Sequence, residues 1–165
     1  MSTEYGESFV GEGADAAHVN TVLGAIGGPV ETAWVTALAT PRAGHVAFVV
    51  TVAPGIAVRP FTLFVNKAAT EGERHAALTW GAAHAGVAAG VMEAVAEGTV
   101  PEVEAAARLL IAAVWVNPQA FDEEAVFENN KAATLGALRA GRAGQPTVPD
   151  ALAARHTPRN AYYHP

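Results

Sequence analysis

The sequence has no cysteine and only two serines among its 165 residues. A chain without cysteine can form neither a disulfide framework nor a thiolate that acts as a metal ligand or nucleophile. Ser2 and Ser8 do not lie in a G-x-S-x-G elbow, so the sequence offers no serine nucleophile of that kind. Cysteine chemistry and serine acyl transfer are therefore both excluded.

Basic residues and long apolar runs are also scarce. Ten Lys and Arg stand against sixteen Asp and Glu, and the net charge of −6 leaves no basic stripe that could bind a phosphate backbone. Apolar runs such as 109–116 are shorter than the roughly 20 residues of a membrane-spanning helix. The N-terminal stretch has no basic segment ahead of an apolar one, as a secretory signal would. We expect a cytoplasmic protein that binds neither nucleic acid nor membrane.

The histidines and glycines do not form a metal-site or nucleotide-binding motif. Six histidines are present, but none lies in an H-E-x-x-H pattern or in a cluster with carboxylates at ligand spacing. The glycines of GEGADAAH, residues 11–18, lack both the strand-to-helix context of a dinucleotide fingerprint and the lysine–serine pair of a P-loop. We expect no metal ion.

The composition and the order of apolar segments predict one domain with a mixed sheet. A 51% hydrophobic content over 165 residues is enough for a single core. Strands are predicted at 18–24, 45–53, 61–68 and 109–117. Helices are predicted to begin at Pro29, Thr70, Pro101 and Asp122, with Thr70 and Glu73 spaced as a capping box. The order β-α-β-β-α-α-β-α predicts a mixed sheet with helices packed against it, and the residues after the last helix are predicted to form a loosely attached tail.

Three side chains are candidates for proton transfer. His18 is either a histidine that begins a strand and bonds a neighbouring carbonyl, or a general acid. His84 shares a helical face with Trp80, so it is either a core histidine or a ligand contact. Lys67 is either a solvated lysine closing a strand or a functional amine. The remaining histidines are expected at the surface, as caps or in the tail: His45, His75, His156 and His164.

Several short blocks, in this order and with similar spacing, resemble one known family. They are VGEGADAAHVN, GPVETAWVTAL, GHVAFVVTVAPGIAVRP, TLFVNK, HAGVA with AVAEGTVP, and NNKAATLGALRAGRAGQP. From about Val10 to Pro146 the chain is similar to the formaldehyde-activating enzymes, the tetrahydromethanopterin hydro-lyases of one-carbon metabolism. The resemblance implies an α+β two-layer fold like domain 2 of ribosomal protein S5, spanning 1–146, with 147–165 as a proline-rich tail. It also implies a homopentamer that binds the pterin between neighbouring subunits.

The resemblance implies an activity and a role for each matching residue. The activity is condensation of formaldehyde with a reduced pterin, with loss of water and with the pterin as co-substrate rather than as a tightly bound cofactor. The family's general-acid histidine falls on His18 and its N-K lysine on Lys67, while Val49 falls in the substrate-binding set. A histidine with an unperturbed pKa near 6.5 is suited to donate a proton near neutral pH.

The sequence departs from the family at three positions of the implied pterin site. Asn20 stands where an aspartate is usual, Ala69 where a threonine is usual, and His84 where a glutamine is usual. Asparagine keeps an acceptor oxygen but loses the charge. Two hypotheses follow: an enzyme that condenses formaldehyde with a tetrahydropterin, or a catalytically weak relative that binds or senses a reduced pterin or an aldehyde adduct. The sequence leaves open which one-carbon carrier or aldehyde is used.

Overall fold

A five-stranded mixed sheet forms the centre of the computed structural model, which describes residues 2–160. The strands of the chain are β1 (Glu4–Val10), β2 (Ala17–Ala25), β3 (Phe48–Val49), β4 (Thr51–Ala53), β5 (Ile56–Ala57), β6 (Phe61–Asn66) and β7 (Arg108–Val116). The sheet has the order β1-β2-β7-β6-β3, and β4 and β5 form a separate hairpin. Only β6 and β7 pair in parallel; the other neighbours are antiparallel.

Helices cover one face of this sheet and part of the other. They are α1 (Pro29–Ala39), α2 (Gly72–Ala77), α3 (His84–Ala96), α4 (Glu102–Ala105), α5 (Glu123–Ala143) and α6 (Val148–Ala154). Helices α3 and α5 pack against each other, and α5 crosses β1 and β2. The mixed sheet and its helical layer confirm the predicted α+β two-layer class, whereas the likeness to domain 2 of ribosomal protein S5 stays a prediction.

Glycines bring α3 and α5 close together. A Cβ on Gly86 would lie 2.4 Å from the backbone oxygen of Phe127, and a Cβ on Gly90 would lie 2.6 Å from that of Lys131. Both distances are too short for any side chain, so glycine is required for this helix contact. The two helices therefore pack with their backbones close together.

The alternation of β2 separates a buried face from a partly open one. Val19, Thr21 and Leu23 are buried on the side of α3 and α5, whereas His18 and Asn20 point to the opposite side and are half-buried. On that side α1 covers only one end of the sheet, next to Gly24, where a Cβ would lie 2.4 Å from Val30. The end that carries His18 is left open by the helices.

The buried guanidinium of Arg108 anchors β1 to the rest of the sheet. It donates to the Glu4 carboxylate at 2.6 Å, to Glu104 at 3.0 Å and to the backbone oxygen of Leu23 at 3.0 Å. Arg108 is only 1% exposed, and its carboxylate partners offset the cost of burying its charge. The edge strand is therefore fixed at its N-terminal end.

Several local predictions were wrong. The run 45–53 is not one strand, because the chain bends between β3 and β4 to form the hairpin with β5. Thr70 does not cap a helix: α2 begins at Gly72, which has a positive φ of 78°, and its N-cap residue Glu71 makes no side-chain cap. Of the two alternatives for His75, the surface position is wrong, because the side chain is 2% exposed. The capping role is confirmed, because its Nδ1 accepts the N–H of the N-cap residue Glu71 at 2.9 Å.

The predicted tail contains a short helix. A capping box of Thr147 and Asp150 begins α6, and every residue of α6 is exposed. The division of the chain at Pro146 stays a prediction. Within residues 2–160, none of the helices combines the length and the hydropathy that a bilayer span requires.

Candidate functional site

Two neighbouring strands and a loop bring four polar side chains together on the open face of the sheet. His18 and Asn20 are two residues apart on β2 and therefore point the same way. Glu7 lies on β1 directly opposite Asn20 in the antiparallel register. Lys67 follows β6, and its N–H donates to the backbone oxygen of Val114 on β7 at 2.7 Å. We call Glu7, His18, Asn20 and Lys67 the polar cluster.

The polar cluster is a continuous chain of hydrogen bonds. Nε2 of His18 lies 2.9 Å from Oε1 of Glu7, and Nδ1 of His18 lies 3.2 Å from Nζ of Lys67. The same Nζ donates to Oδ1 of Asn20 at 2.7 Å. His18 keeps 34% of its side chain exposed. The imidazole thus contacts a carboxylate and an amine, and it remains accessible to a molecule that binds on the open face.

Burial and a neighbouring charge shift the pKa of Lys67 in opposite directions. Its half-buried position lowers the pKa of the ammonium from the usual 10.5, and the negative charge of Glu7 raises it in part. An ammonium whose pKa is lowered gives up its proton more readily than a surface lysine does. Lys67 is therefore suited to exchange a proton with His18.

The network also fixes which imidazole nitrogen carries the proton in neutral His18. An ionised carboxylate only accepts hydrogen bonds, so Nε2–H must donate to Glu7. Nδ1 is then the acceptor that faces the Lys67 ammonium. The ring of Phe9, 5.9 Å away, lies beside the imidazole.

His84 lies on the other side of the sheet, away from the polar cluster. Its ring is 4.9 Å from that of Phe48 and 6.2 Å from that of Phe64, and its Nε2 accepts the Thr51 N–H at 3.1 Å. Burial lowers its pKa, while the hydrogen bond to the Trp80 backbone raises it. Within the protomer this is the environment of a satisfied core histidine, and a role in binding ligand stays a prediction.

A π-helical turn positions His84 and its aromatic neighbour. The turn Leu78–Ala83 joins α2 to α3, and its wider i→i+5 spacing changes the direction in which side chains leave the helix. Trp80 and His84 both contact Phe48 in edge-to-face geometry. Together with Val46 they line an open cavity of about 500 Å³, which we call the aromatic cavity.

The structure does not bring the other predicted residues to the polar cluster. Val49 pairs with Leu63 at the opposite edge of the sheet from β1 and is half-buried. Ala69 is exposed two residues beyond Lys67. Of the predicted site residues, the structure therefore joins His18, Asn20 and Lys67 in one place.

Glu7 is the site residue that sequence reasoning missed. Its sequence neighbours, EYGESFV, give a weak strand signal, and its place in the cluster depends on pairing with β2. Reading the residues before Val10 as a strand that forms a hairpin with β2 would have placed Glu7 beside His18 and Asn20. Within residues 2–160, no group of three or more His, Asp or Glu residues is arranged to hold a metal ion.

Exposed apolar side chains surround the open face. Phe9 is 43% exposed and Tyr5 is 69% exposed on β1, while Val35 and Leu38 are 52% and 40% exposed on α1. A row of such residues around a polar site is typical of a surface that another molecule covers.

Comparisons with known proteins agree on one family. The sequence model described as Formaldehyde-activating enzyme (Fae) matches residues 5–163, which include β1 and the residues after Pro146. The chain is 38% identical over 162 residues to the 5,6,7,8-tetrahydromethanopterin hydro-lyase of Methanosarcina barkeri, covering 98% of this chain and 91% of that protein. It is 34% identical to a bifunctional enzyme Fae/Hps of Methanococcoides burtonii and 32% identical to one of Methanothrix thermoacetophila, covering 89% of this chain each time. The chain spans only 37% and 38% of these two bifunctional relatives. This chain belongs to the formaldehyde-activating enzyme family.

Proposed function

We propose that the protein is a hydro-lyase that condenses formaldehyde with a reduced pterin of the tetrahydromethanopterin type. Membership of the family and the hydro-lyase activity of the Methanosarcina barkeri relative support the reaction class. The single observation that carries the proposal is the contact of His18 with Lys67 at 3.2 Å on the open face. An imidazole and an ammonium within hydrogen-bond distance of each other support a site for proton transfer.

The reaction needs a proton at one point above all. A pterin amine attacks the formaldehyde carbon, and the new C–N bond gives a carbinolamine. Its hydroxyl is a poor leaving group until it is protonated; the C–O bond then breaks, water leaves and an iminium remains. The second pterin nitrogen closes on the same carbon and releases a proton, which completes the methylene derivative.

His18 is the general acid of this scheme. Its protonated ring donates to the carbinolamine hydroxyl, a step that contributes about 10²–10⁴-fold for a well-placed acid. Lys67 donates a proton to Nδ1, a transfer that its lowered pKa favours, and the proton released by ring closure restores the Lys67 ammonium. Asn20 holds the Lys67 ammonium in place through its Oδ1.

A homopentamer with the pterin between subunits completes the proposal. Val49, Ala69 and His84 lie apart from the polar cluster within one protomer, so a single chain does not surround a ligand with all the predicted contacts. A ring uses two different surfaces of each subunit, which permits the aromatic cavity of one chain to face the polar cluster of the next. The exposed apolar residues of β1 and α1 support such a contact.

The proposal is tested by the initial rate of condensation at fixed formaldehyde, with tetrahydromethanopterin and with tetrahydrofolate as carriers. The spontaneous rate in buffer is subtracted from each. We expect a catalysed rate with tetrahydromethanopterin that is proportional to protein concentration. A rate equal to the spontaneous one with both carriers would contradict the proposed activity.

A second candidate, a weak catalyst that binds or senses the pterin, is favoured by the state of His84. Its Nε2 already accepts the Thr51 N–H, so it does not replace a glutamine contact without a rearrangement. Asn20 also lacks the charge of a carboxylate. In that case tetrahydromethanopterin binds without turnover, and Asn20→Asp, which restores a charge beside Lys67, increases the catalysed rate.

A further inference from the structure

We infer that Glu7 is a positioning residue for the proposed reaction: its carboxylate fixes the His18 imidazole so that Nδ1 exchanges protons with Lys67 and with substrate. The inference rests on the proposed function. It assigns a role to a side chain on β1 that the sequence blocks quoted for the resemblance do not include.

The first support is geometric. Glu7 pairs with Asn20 in the strand register, and His18 is the diagonal neighbour on the same face, within reach of a long side chain. Oε1 of Glu7 lies 2.9 Å from Nε2 of His18, the length of a charge-assisted hydrogen bond. The ring is thus held at Nε2 by Glu7 and at Nδ1 by Lys67.

The second support is the rigidity of the backbone that carries Glu7. A Cβ on the preceding residue, Gly6, would lie 1.8 Å from the backbone oxygen of Ala137, so α5 lies directly on the strand. Two residues before Gly6, the carboxylate of Glu4 accepts hydrogen bonds from the buried Arg108 and from Arg142. A side chain on so constrained a strand holds its partner more precisely than one on a loop does.

The third support is charge. Asn20 is neutral, so Glu7 is the anionic member of the polar cluster, and its charge partly offsets the effect of burial on Lys67. The carboxylate accepts the hydrogen bond of Nε2–H, so it orients the ring. Glu7 contacts Nε2 and Lys67 contacts Nδ1, so the two side chains do not compete for the same nitrogen of the ring.

Glu7 is 57% exposed in its side chain, so its substitution is expected to leave the fold intact. Glu7→Ala removes the acceptor and the charge, whereas Glu7→Gln keeps an acceptor oxygen and removes only the charge. Glu12→Gln is the matched control, because Glu12 is exposed in the turn after β1 and makes no side-chain cap there.

The experiment combines two readouts on these variants. Imidazole ¹⁵N chemical shifts of histidine-labelled protein report the His18 tautomer, and initial rates report kcat and KM for the pterin. In the parent and in Glu12→Gln we expect neutral His18 to carry its proton on Nε2. In Glu7→Ala the Lys67 ammonium still donates to Nδ1, so we expect the same tautomer but a changed Nε2 ¹⁵N shift, because Nε2–H loses its carboxylate acceptor. We also expect kcat to fall about tenfold or more and KM to stay nearly unchanged. Glu7→Gln is expected to lie between the two.

The outcomes separate this inference from the function on which it rests. An unchanged kcat in Glu7→Ala would overturn the positioning role, even in an active enzyme. A loss of kcat with an unchanged Nε2 shift would likewise overturn it. A parent without catalysed condensation would instead overturn the proposed function, and the ¹⁵N shifts would still decide whether Glu7 fixes the ring.

Discussion

At the scale of single residues, the charge of Lys67 depends on its surroundings. It is half-buried between His18 and Asn20, and burial lowers its pKa while Glu7 raises it in part. A lysine in this state holds its proton more weakly in the folded protein than in the unfolded chain. The same property serves proton transfer and costs stability.

This yields a prediction about pH and stability. Between the lowered pKa of Lys67 and 10.5, the unfolded chain binds more protons than the folded protein at this site, so the contribution of Lys67 to the free energy of unfolding rises with pH. Lys67→Met has no such dependence. The difference in urea midpoint, parent minus Lys67→Met, is therefore expected to increase from pH 7 to pH 10.

The Lys67→Met variant is the reference for that measurement. Other groups titrate in both proteins and cancel in the difference, provided both are unfolded at the same protein concentration. A difference that stays constant, or falls, between pH 7 and pH 10 would contradict the lowered pKa of Lys67.

At the scale of elements, the contact of α3 with α5 determines how the helical layer lies on the sheet. Gly86 and Gly90 allow the backbones of the two helices to approach so closely that no Cβ atom fits between them. Asn130, on the facing side of α5, is 1% exposed and donates to the backbone oxygen of Val126 at 2.7 Å. No larger side chain on α3 fits this contact without moving α5.

Gly86→Ala is predicted to destabilise the protein. The new methyl would lie 2.4 Å from the Phe127 oxygen, and overpacking of this kind costs about 1–3 kcal/mol. Gly81→Ala is the control, because a Cβ at Gly81 meets nothing within 4 Å and alanine is the better helix former. Urea unfolding of both variants measures the effect; equal midpoints for the two would show that the helices separate freely.

Some strands can be predicted from local sequence patterns and others cannot. β2, β6 and β7 were predicted because their apolar and β-branched residues are buried on at least one face. β1 was missed because it is an edge strand with a glycine and two glutamates, and its pairing appears only in the register. His18, Asn20 and Lys67 were found through the family blocks, but their hydrogen bonds to one another and to Glu7 depend on strand pairing that no local pattern encodes.

At the scale of the whole molecule, the open face of the sheet is incomplete. The polar cluster lies there beside exposed aromatic side chains of β1, and α1 presents Val35 and Leu38 to the outside. The aromatic cavity, with Trp80 and His84, opens elsewhere on the chain. A heterologous ring joins two such surfaces without leaving either exposed.

Resemblance to the family implies a pentamer, and we predict one in solution that is held in part by α1. Val35→Asp combined with Leu38→Asp places two charges in an apolar contact and is expected to give smaller species. Val103→Asp, at a residue 80% exposed on α4, is the control. Light scattering at micromolar concentration gives the mass, to be compared with that of the 16.9 kDa chain. A monomeric parent would contradict the prediction, as would a double variant that remains pentameric.

The central claim is that the polar cluster is a catalytic site whose acid is His18, and a comparison of two histidine variants tests it most directly. The rate of condensation of formaldehyde with tetrahydromethanopterin is measured for the parent, for His18→Ala and for His156→Ala, whose histidine is exposed after α6. We predict that His18→Ala loses about 10²–10⁴-fold of the rate above background, with its assembly and pterin binding retained, and that His156→Ala equals the parent. A His18→Ala protein as fast as the parent would contradict the account.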